Sequence, residues 1–346
     1  MSTVHHNYSL KKYNTFGIEC FSKQFARFNS EEELIALLNS KEIDKRQLFI
    51  LGGGSNILFI NDYDGVILHN NIKGISEVNI SQNDVKLSIG SGEVWDDIVQ
   101  YAVKKNYYGI VNLSLIPGSV GAAPIQNIGA YGVELENVLH SVEGIFIDSL
   151  KQKVYLNNEC NFGYRESIFK KELKGKFIVT KVNLILSKQK KINLTYGSLD
   201  SYLRSANIDE PNIQNIRDAV VFIRTSKLPD PKKLGNAGSF FKNPKVNVSE
   251  LEVIKTNYPD IVAFPYDENV YKISAGWMIE KCGLKGKRVG DVGTHIDQAL
   301  VIVNYGGASG SEILKFAKTI QQNVYDKFGI KLEPEVNIIN NNRDLL

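Results

Sequence analysis

The chain has 346 residues, 43% hydrophobic and 23% charged, enough apolar content for two or three units of ordinary domain size. Its 41 basic and 38 acidic side chains leave a net charge of +3, too little to mark a nucleic-acid binder but suited to an acidic small molecule held by local cations. Three scattered cysteines without C-x-x-C and five histidines without H-E-x-x-H argue against a disulfide framework and a zinc or other metal site, and no apolar run reaches the roughly 18 residues of a membrane span.

The N-terminus lacks the apolar core of a signal peptide, so a reducing, cytoplasmic setting is the expectation. Asn14-Thr-Phe-Gly17 forms a turn into a strand through Phe25 to Phe28. Ser30 and Glu33 make a capping box, and Leu34, Leu37 and Leu38 then give a helical stripe. Leu48 to Leu51 is a buried strand that runs into Gly52, Gly53, Gly54, Ser55 and Asn56, with another strand from Ile57 to Ile60. A Rossmann fingerprint needs its glycines to open a helix, and a P-loop needs G-x-x-x-x-G-K-[ST]; neither occurs here. An anion held at 52–56 therefore sits in a backbone nest between strands, unless the segment is a plain turn.

Short strands fill Val66 to Ile89. Val94 to Lys105 is an amphipathic helix with Trp95, Ile98, Val99 and Ala102 inward. Ile116 to Gly132 holds four glycines, three alanines and two prolines, yet keeps Ile116, Val120, Ile125, Ile128 and Tyr131. Such a loop is packed in place, and its bare backbone suits a large anionic cofactor. Strands follow at Val142 to Ile147, Lys153 to Leu156 and Phe177 to Leu186. A helix with Ile213, Ile216, Val220 and Ile223 on one face is stopped by Leu228-Pro-Asp-Pro231. Gly235 to Pro244 is a second compact polar–glycine stretch, and helices follow near Glu250 to Thr256 and Ser274 to Cys282. Ser309 or Ser311 caps a long helix with Ile313, Leu314, Ala317, Ile320 and Val324 inward, Gly329 ends it, and Leu332 to Ile339 is the last strand. The class is α+β, divided as 1–72, 73–214 and 215–346, with the last strand able to return to the first segment.

Several side chains are candidates for chemistry. Arg165, in Phe162-Gly-Tyr-Arg-Glu-Ser167, offers a permanent planar donor for a carboxylate, or is a surface arginine. Tyr196, in Leu194-Thr-Tyr-Gly-Ser198, is either a mobile-tip residue or a packed aromatic. Lys227 stands before a chain reversal. Ser239 is no nucleophile elbow, but its hydroxyl can deliver a proton if its neighbours stabilise the alkoxide. Glu335, in a strand, points at a site or at an exposed edge.

The order of these motifs is more specific than any one of them. Asn14 to Gly17, Leu51 to Asn56, Ile116 to Gly132, Tyr164 to Ser167, Gly238 to Pro244, Ala275 to Glu280 and Glu333 to Val336 together resemble the UDP-N-acetylenolpyruvoylglucosamine reductase (MurB) family, from about residue 14 to 338. The resemblance implies an FAD-binding fold of the vanillyl-alcohol-oxidase (PCMH) type in two subdomains, followed by a substrate domain. It implies non-covalent FAD, with NADPH as co-substrate, acting on a UDP-sugar of peptidoglycan synthesis. The FAD would be held by Gly52, Gly53, Gly54, Ser55 and Asn56 and by Pro117, Gly118, Ser119, Gly121, Ala122, Gln126, Asn127, Gly129 and Tyr131. Ser239 matches the proton donor, with Arg165 and Glu335 as the other catalytic residues. Glu335 would either polarise the substrate carboxylate or orient a neighbour. Tyr164, Tyr196, Lys227 and Asn243 match substrate-binding positions, Tyr196 on a loop that closes over the substrate. A monomer without membrane or nucleic-acid partner is expected.

Two rivals stay open at this point. One is another FAD oxidoreductase of the same fold; many of these tether FAD through His or Cys, and neither residue occurs in 52–56 or 116–132. The other is a non-catalytic nucleotide-binding protein, which would have little reason to keep Arg165, Ser239 and Glu335 together.

Overall fold

The chain opens with β1 (His5–Ser9), β2 (Phe21–Phe28) and α1 (Glu31–Asn39). The computed structural model describes residues 3–194 and 197–341. The Ser30 hydroxyl accepts the Glu33 N–H at 3.2 Å, as expected of an N-cap. The return bond slips by one residue: Glu33 takes the N–H of Asn29 at 2.8 Å instead of that of Ser30, because the Asn29 amide also reaches the same oxygen at 2.9 Å. β3 (Leu48–Leu51) is followed by β4 (Ile57–Phe59) and β5 (Tyr63–Asn70). A four-stranded sheet runs β1-β2-β5-β3, with β3 and β5 parallel. Leu34, Leu37 and Leu38 of α1 pack on its Ala26, Phe28, Val66 and Leu68.

β6 (Ile75–Asn79), β7 (Asp84–Gly90) and α2 (Trp95–Lys104) come next, then the short hairpin β8 (Gly129–Ala130) and β9 (Val133–Glu134). They are followed by β10 (Leu139–Phe146), β11 (Gln152–Leu156), β12 (Phe177–Ser187), α3 (Gly197–Ser205) and α4 (Ile213–Lys227). An antiparallel sheet of order β11-β10-β12-β7-β6 results. Alternation along β7 buries Val85, Leu87 and Ile89, which meet Trp95, Ile98 and Val99 of α2 and Ile216 and Val220 of α4. Each such side chain contributes about 1.5–3 kcal/mol by leaving water. The Trp95 indole N–H also reaches the Leu113 carbonyl at 3.0 Å, which anchors α2 to the segment before the glycine-rich loop.

The rest of the chain forms β13 (Gly235–Ser239), β14 (Lys245–Asn247), α5 (Val248–Asn257), β15 (Ala263–Asp267) and β16 (Val270–Ile273). α6 (Ala275–Lys281), β17 (Arg288–Val289), β18 (Val292–Thr294), β19 (Val301–Asn304), α7 (Gly310–Phe328) and β20 (Asn337–Ile339) complete it. Sheets of order β13-β19-β18-β17 and β14-β16-β15 form here, and β20 pairs in parallel with β4. Ser309 caps α7 with a full capping box, and Gly329 ends it at φ +70°. Phe316 joins the buried face of α7, while Leu314 is only half-buried.

Two compact units emerge: Met1–Tyr8, Ser22–Gly54 and Asp64–Ser226 in one, and Ser9–Phe21, Ser55–Tyr63 and Lys227–Leu346 in the other. The expected boundary at 214/215 falls just after the start of α4, whose buried residues belong to the first unit's core. The 72/73 cut lies inside the first unit. The last strand is shorter than expected, Asn337–Ile339 instead of Leu332 to Ile339. Pro334 has no N–H for a ladder and makes only an isolated bridge to Phe241.

Candidate active site

In the first unit the glycine-rich stretches meet. A Cβ on Gly53 would lie 2.9 Å from Gly118 Cα and 3.3 Å from the Ser119 nitrogen; one on Gly52 would lie 2.3 Å from Ser119 Oγ. The two backbones thus touch where no side chain fits. Behind them Val120 to Gln126 coil into a short 3-10 segment. The N–H groups of Val120 and Gly121 are spent on the carbonyls of Glu93 and Ser91, both at 2.8 Å, and that of Ala122 on Ser119 at 3.1 Å. Gly121 is a packing glycine, since its Cβ would lie 2.6 Å from Ser91 Cβ. Pro117 and Ala122 are exposed and Gln126 is half-buried. Leu115, Asn127, Tyr131 and Arg165 all have positive φ, between 43° and 59°. Left-handed backbone at non-glycine residues is uncommon and concentrates at functional sites.

Tyr131 (φ 49°) and Gly132 (φ 78°) turn the β8–β9 hairpin. A two-residue turn with both φ positive matches the twist of the flanking strands. Asn112 fastens the tip by donating to the Tyr131 carbonyl at 2.9 Å. Arg165 donates through Nη2 to the Gly129 carbonyl at 2.9 Å, its Nη1 stands 3.9 Å from Glu134 Oε1, and its guanidinium lies 5.3 Å from the centre of the Tyr164 ring. Asn127 is fully buried, with its amide donating to Glu134 at 2.9 Å and to Glu136 at 3.1 Å.

A second set of charges lies on α4. Arg217 grips Asp96 with two bonds of 2.9 and 2.8 Å. Burial disfavours the Asp96 charge, but Arg217, the Leu115 N–H and Gln100 outweigh it and hold the carboxyl below its ordinary pKa. Arg224, seven residues on and so on the same helix face, is half-buried. Burial lowers its pKa, against the opposing effects of the Tyr131 phenol, to which it is hydrogen-bonded, and of Asp96. Its Nε is buried, with no hydrogen-bond partner among the described residues. A buried donor left unmet is costly, which fits an acceptor supplied by a ligand. Sequence reasoning passed over Arg224; the seven-residue spacing of the two arginines was the available signal.

In the second unit, Ser239 closes β13 opposite Val301. The next residue, Phe240, donates to Leu300 and accepts the Glu335 N–H, both at 2.8 Å, so the Ser239 and Glu335 segments are neighbours. Asn56 donates to the Glu335 carbonyl at 3.3 Å, and its own carbonyl accepts the Asn337 amide at 3.0 Å. Thus the expected nest divides: Gly52 and Gly53 face the long loop, Gly54 closes the same unit, and Ser55 and Asn56 belong with the Glu335 segment. Lys242 binds Glu333 through its main chain at 2.9 Å and its ammonium at 3.5 Å. Asn243 accepts the Ala275 N–H at the start of α6, at 3.0 Å. Lys227 is the exposed last residue of α4, and Tyr196 lies outside the described residues.

Among the described residues no group of three or more His, Cys, Asp or Glu is placed to hold a metal ion, and no helix is long and apolar enough to cross a membrane. Cys20 and Cys160 are buried free thiols, each pushed up to about 12 by burial first and nearby carboxylates second.

Comparison with known proteins adds to this geometry. Residues 22–148 match the family model described as FAD binding domain, and residues 230–339 match that described as UDP-N-acetylenolpyruvoylglucosamine reductase, C-terminal domain. The UDP-N-acetylenolpyruvoylglucosamine reductase of Flavobacterium johnsoniae is 48% identical, over 97% of this chain and 99% of its own. Proteins of that name from Amoebophilus asiaticus and Porphyromonas gingivalis are 44% and 43% identical, over 96% and 97% of this chain and 98% and 99% of their own. The crystal structure of the reductase from Thermus caldophilus, 23% identical, has the same fold, with a TM-score of 0.68 over 98% of this chain and 99% of that one.

Proposed function

Because the chain belongs to the UDP-N-acetylenolpyruvoylglucosamine reductases, we propose that it reduces the enolpyruvyl ether of UDP-N-acetylglucosamine to UDP-N-acetylmuramate, with FAD and NADPH. What carries the proposal is 48% identity to a reductase of that name across 97% of the chain. FAD, held against the bare backbone of Gly52, Gly53, Gly118 and Ser119, would supply the hydride, drawn from NADPH, that the terminal alkene carbon of the substrate needs.

The chain's own residues do the rest. The contact of Gly52 and Gly53 with Gly118 and Ser119 leaves bare backbone for the cofactor, and Arg224 offers its unmet Nε as a donor. Arg165 binds the substrate carboxylate as negative charge builds beside it, an electrostatic effect greatest in the transition state. Ser239 gives its hydroxyl proton to the carbon next to that carboxylate, which completes the lactyl ether, and recovers a proton from solvent. The bond from the Glu335 N–H to Phe240 supports a role for Glu335 with the serine. Tyr164, Tyr196, Lys227 and Asn243 hold the sugar nucleotide, and the Lys227 ammonium answers its diphosphate. The protein works as a cytoplasmic monomer of 38.7 kDa.

The purified protein should be yellow, be bleached by NADPH without oxygen, and recover its colour when the enolpyruvyl sugar nucleotide is added. A protein that cannot be loaded with FAD, or that stays bleached on addition of that substrate, contradicts the assignment.

A further inference from the structure

Arg165 is gripped from one side by the β8–β9 hairpin. Gly129 and Glu134 face each other across that hairpin. Arg165 Nη2 donates to the Gly129 carbonyl at 2.9 Å, while its Nη1 faces the Glu134 carboxylate at 3.9 Å. A Cβ on Gly129 would come within 2.8 Å of Glu134 Cγ and 3.1 Å of Arg165 Nη1, so glycine keeps this passage open for both side chains. The carboxylate is itself fixed: the buried Asn127 amide donates to Oε2 at 2.9 Å, and the Asn137 N–H caps it from the following 3-10 turn. Both guanidinium and carboxylate are largely shielded, at 17% and 32% side-chain exposure, so the attraction between them is only partly screened.

We propose that Glu134, held by Asn127, is a positioning residue that sets the orientation of the Arg165 guanidinium for the substrate carboxylate. The carboxylate pulls Nη1 toward the hairpin while the Gly129 carbonyl holds Nη2, which fixes the plane of the fork. The arrangement also ties the arginine to the same loop that holds the cofactor. Because the catalytic role of Arg165 is itself proposed above, the role of Glu134 rests on it.

Glu134→Gln is the informative variant, since the amide oxygen still accepts the Asn137 N–H while the charge is lost. Removing an anion beside Arg165 leaves more positive field for the substrate carboxylate, whereas losing the fixed plane slows the transfer. The expected result is a substrate KM unchanged or lower, together with reoxidation of the reduced enzyme by substrate about 10-fold slower at saturation. FAD content, Tm and the rate of reduction by NADPH should stay as in the parent. In an Arg165→Lys background, where no fork remains to orient, Glu134→Gln should add little further loss. Parent-rate reoxidation in Glu134→Gln, with Arg165→Lys slow, overturns the positioning role and leaves the arginine's intact. A raised KM, a lost FAD or a lowered Tm in Glu134→Gln marks a merely structural residue and also overturns it. Parent-rate reoxidation in Arg165→Lys alone removes the catalytic role of the arginine, and the positioning role with it.

Discussion

At the scale of single residues, the chemistry of each candidate follows from its type, and its partners do not. Arg165 is visible in the chain as a donor for a carboxylate within Tyr164-Arg-Glu-Ser167. That it leans on Gly129, 36 residues earlier, is decided by the hairpin. Asn127 stands among the expected cofactor-binding positions, yet its amide is buried and committed to Glu134 and Glu136. Ser239 shows the same limit from the other side: its proton is evident, while its nearness to the Glu335 segment depends on the bond between Phe240 and Glu335. Ser239→Ala should keep FAD and accept electrons from NADPH at the parent rate, but lose at least about 100-fold in reoxidation by the enolpyruvyl substrate, in line with removal of a general acid. Stopped-flow absorbance of the flavin separates the two half-reactions, and a variant reoxidised as fast as the parent would end the serine's assignment.

At the scale of elements, helices were more legible than loops. The stripe of α1, the inward face of α2 and the cap and stop of α7 lie where periodicity and capping place them, because those signals act within one or two turns. The end of the chain was less legible, since Pro334 cuts into the stretch from Leu332 to Ile339 that reads as one strand. The glycine stretches were recognisable as loops, but which glycine is there for contact and which for conformation is a three-dimensional question. Gly53 meets main-chain atoms of Gly118 and Ser119, which cannot swing aside as a side chain could. Gly53→Ala should therefore part the two loops, weaken FAD binding by about 10-fold or more and cost about 1–3 kcal/mol. Gly197→Ala, whose added Cβ meets nothing within 4 Å among the described residues, is the control. Titration of the apoprotein with FAD, followed by flavin fluorescence, tests both; equal affinities in the two variants would refute the role given to the contact.

At the scale of the whole molecule, stability should depend on pH through His69. Its ring lies 6.2 Å from that of Phe25, and its Nδ1 accepts from Arg27 Nε at 3.3 Å. Burial first, then Arg27 and Lys73, lowers its pKa from 6.5 to about 4. Between those values the unfolded chain binds a proton that the folded one refuses, so this contribution is complete above pH 6.5 and is lost as pH falls toward about 4. His69→Gln should accordingly show a smaller drop in urea midpoint from pH 7 to pH 5 than the parent; an equal drop would rule His69 out as the cause. The class of the molecule, its helix faces, its two glycine motifs and its likeness to the reductases were all present in the sequence, because they rest on composition, local periodicity and motif order. Tertiary structure alone decided that the nest divides at Gly54, that the Val120 and Gly121 N–H groups are spent on Glu93 and Ser91, and that the Arg224 Nε is buried with no partner among the described residues. Those facts arise where distant segments pack, and local sequence patterns do not encode which main-chain groups that packing will consume.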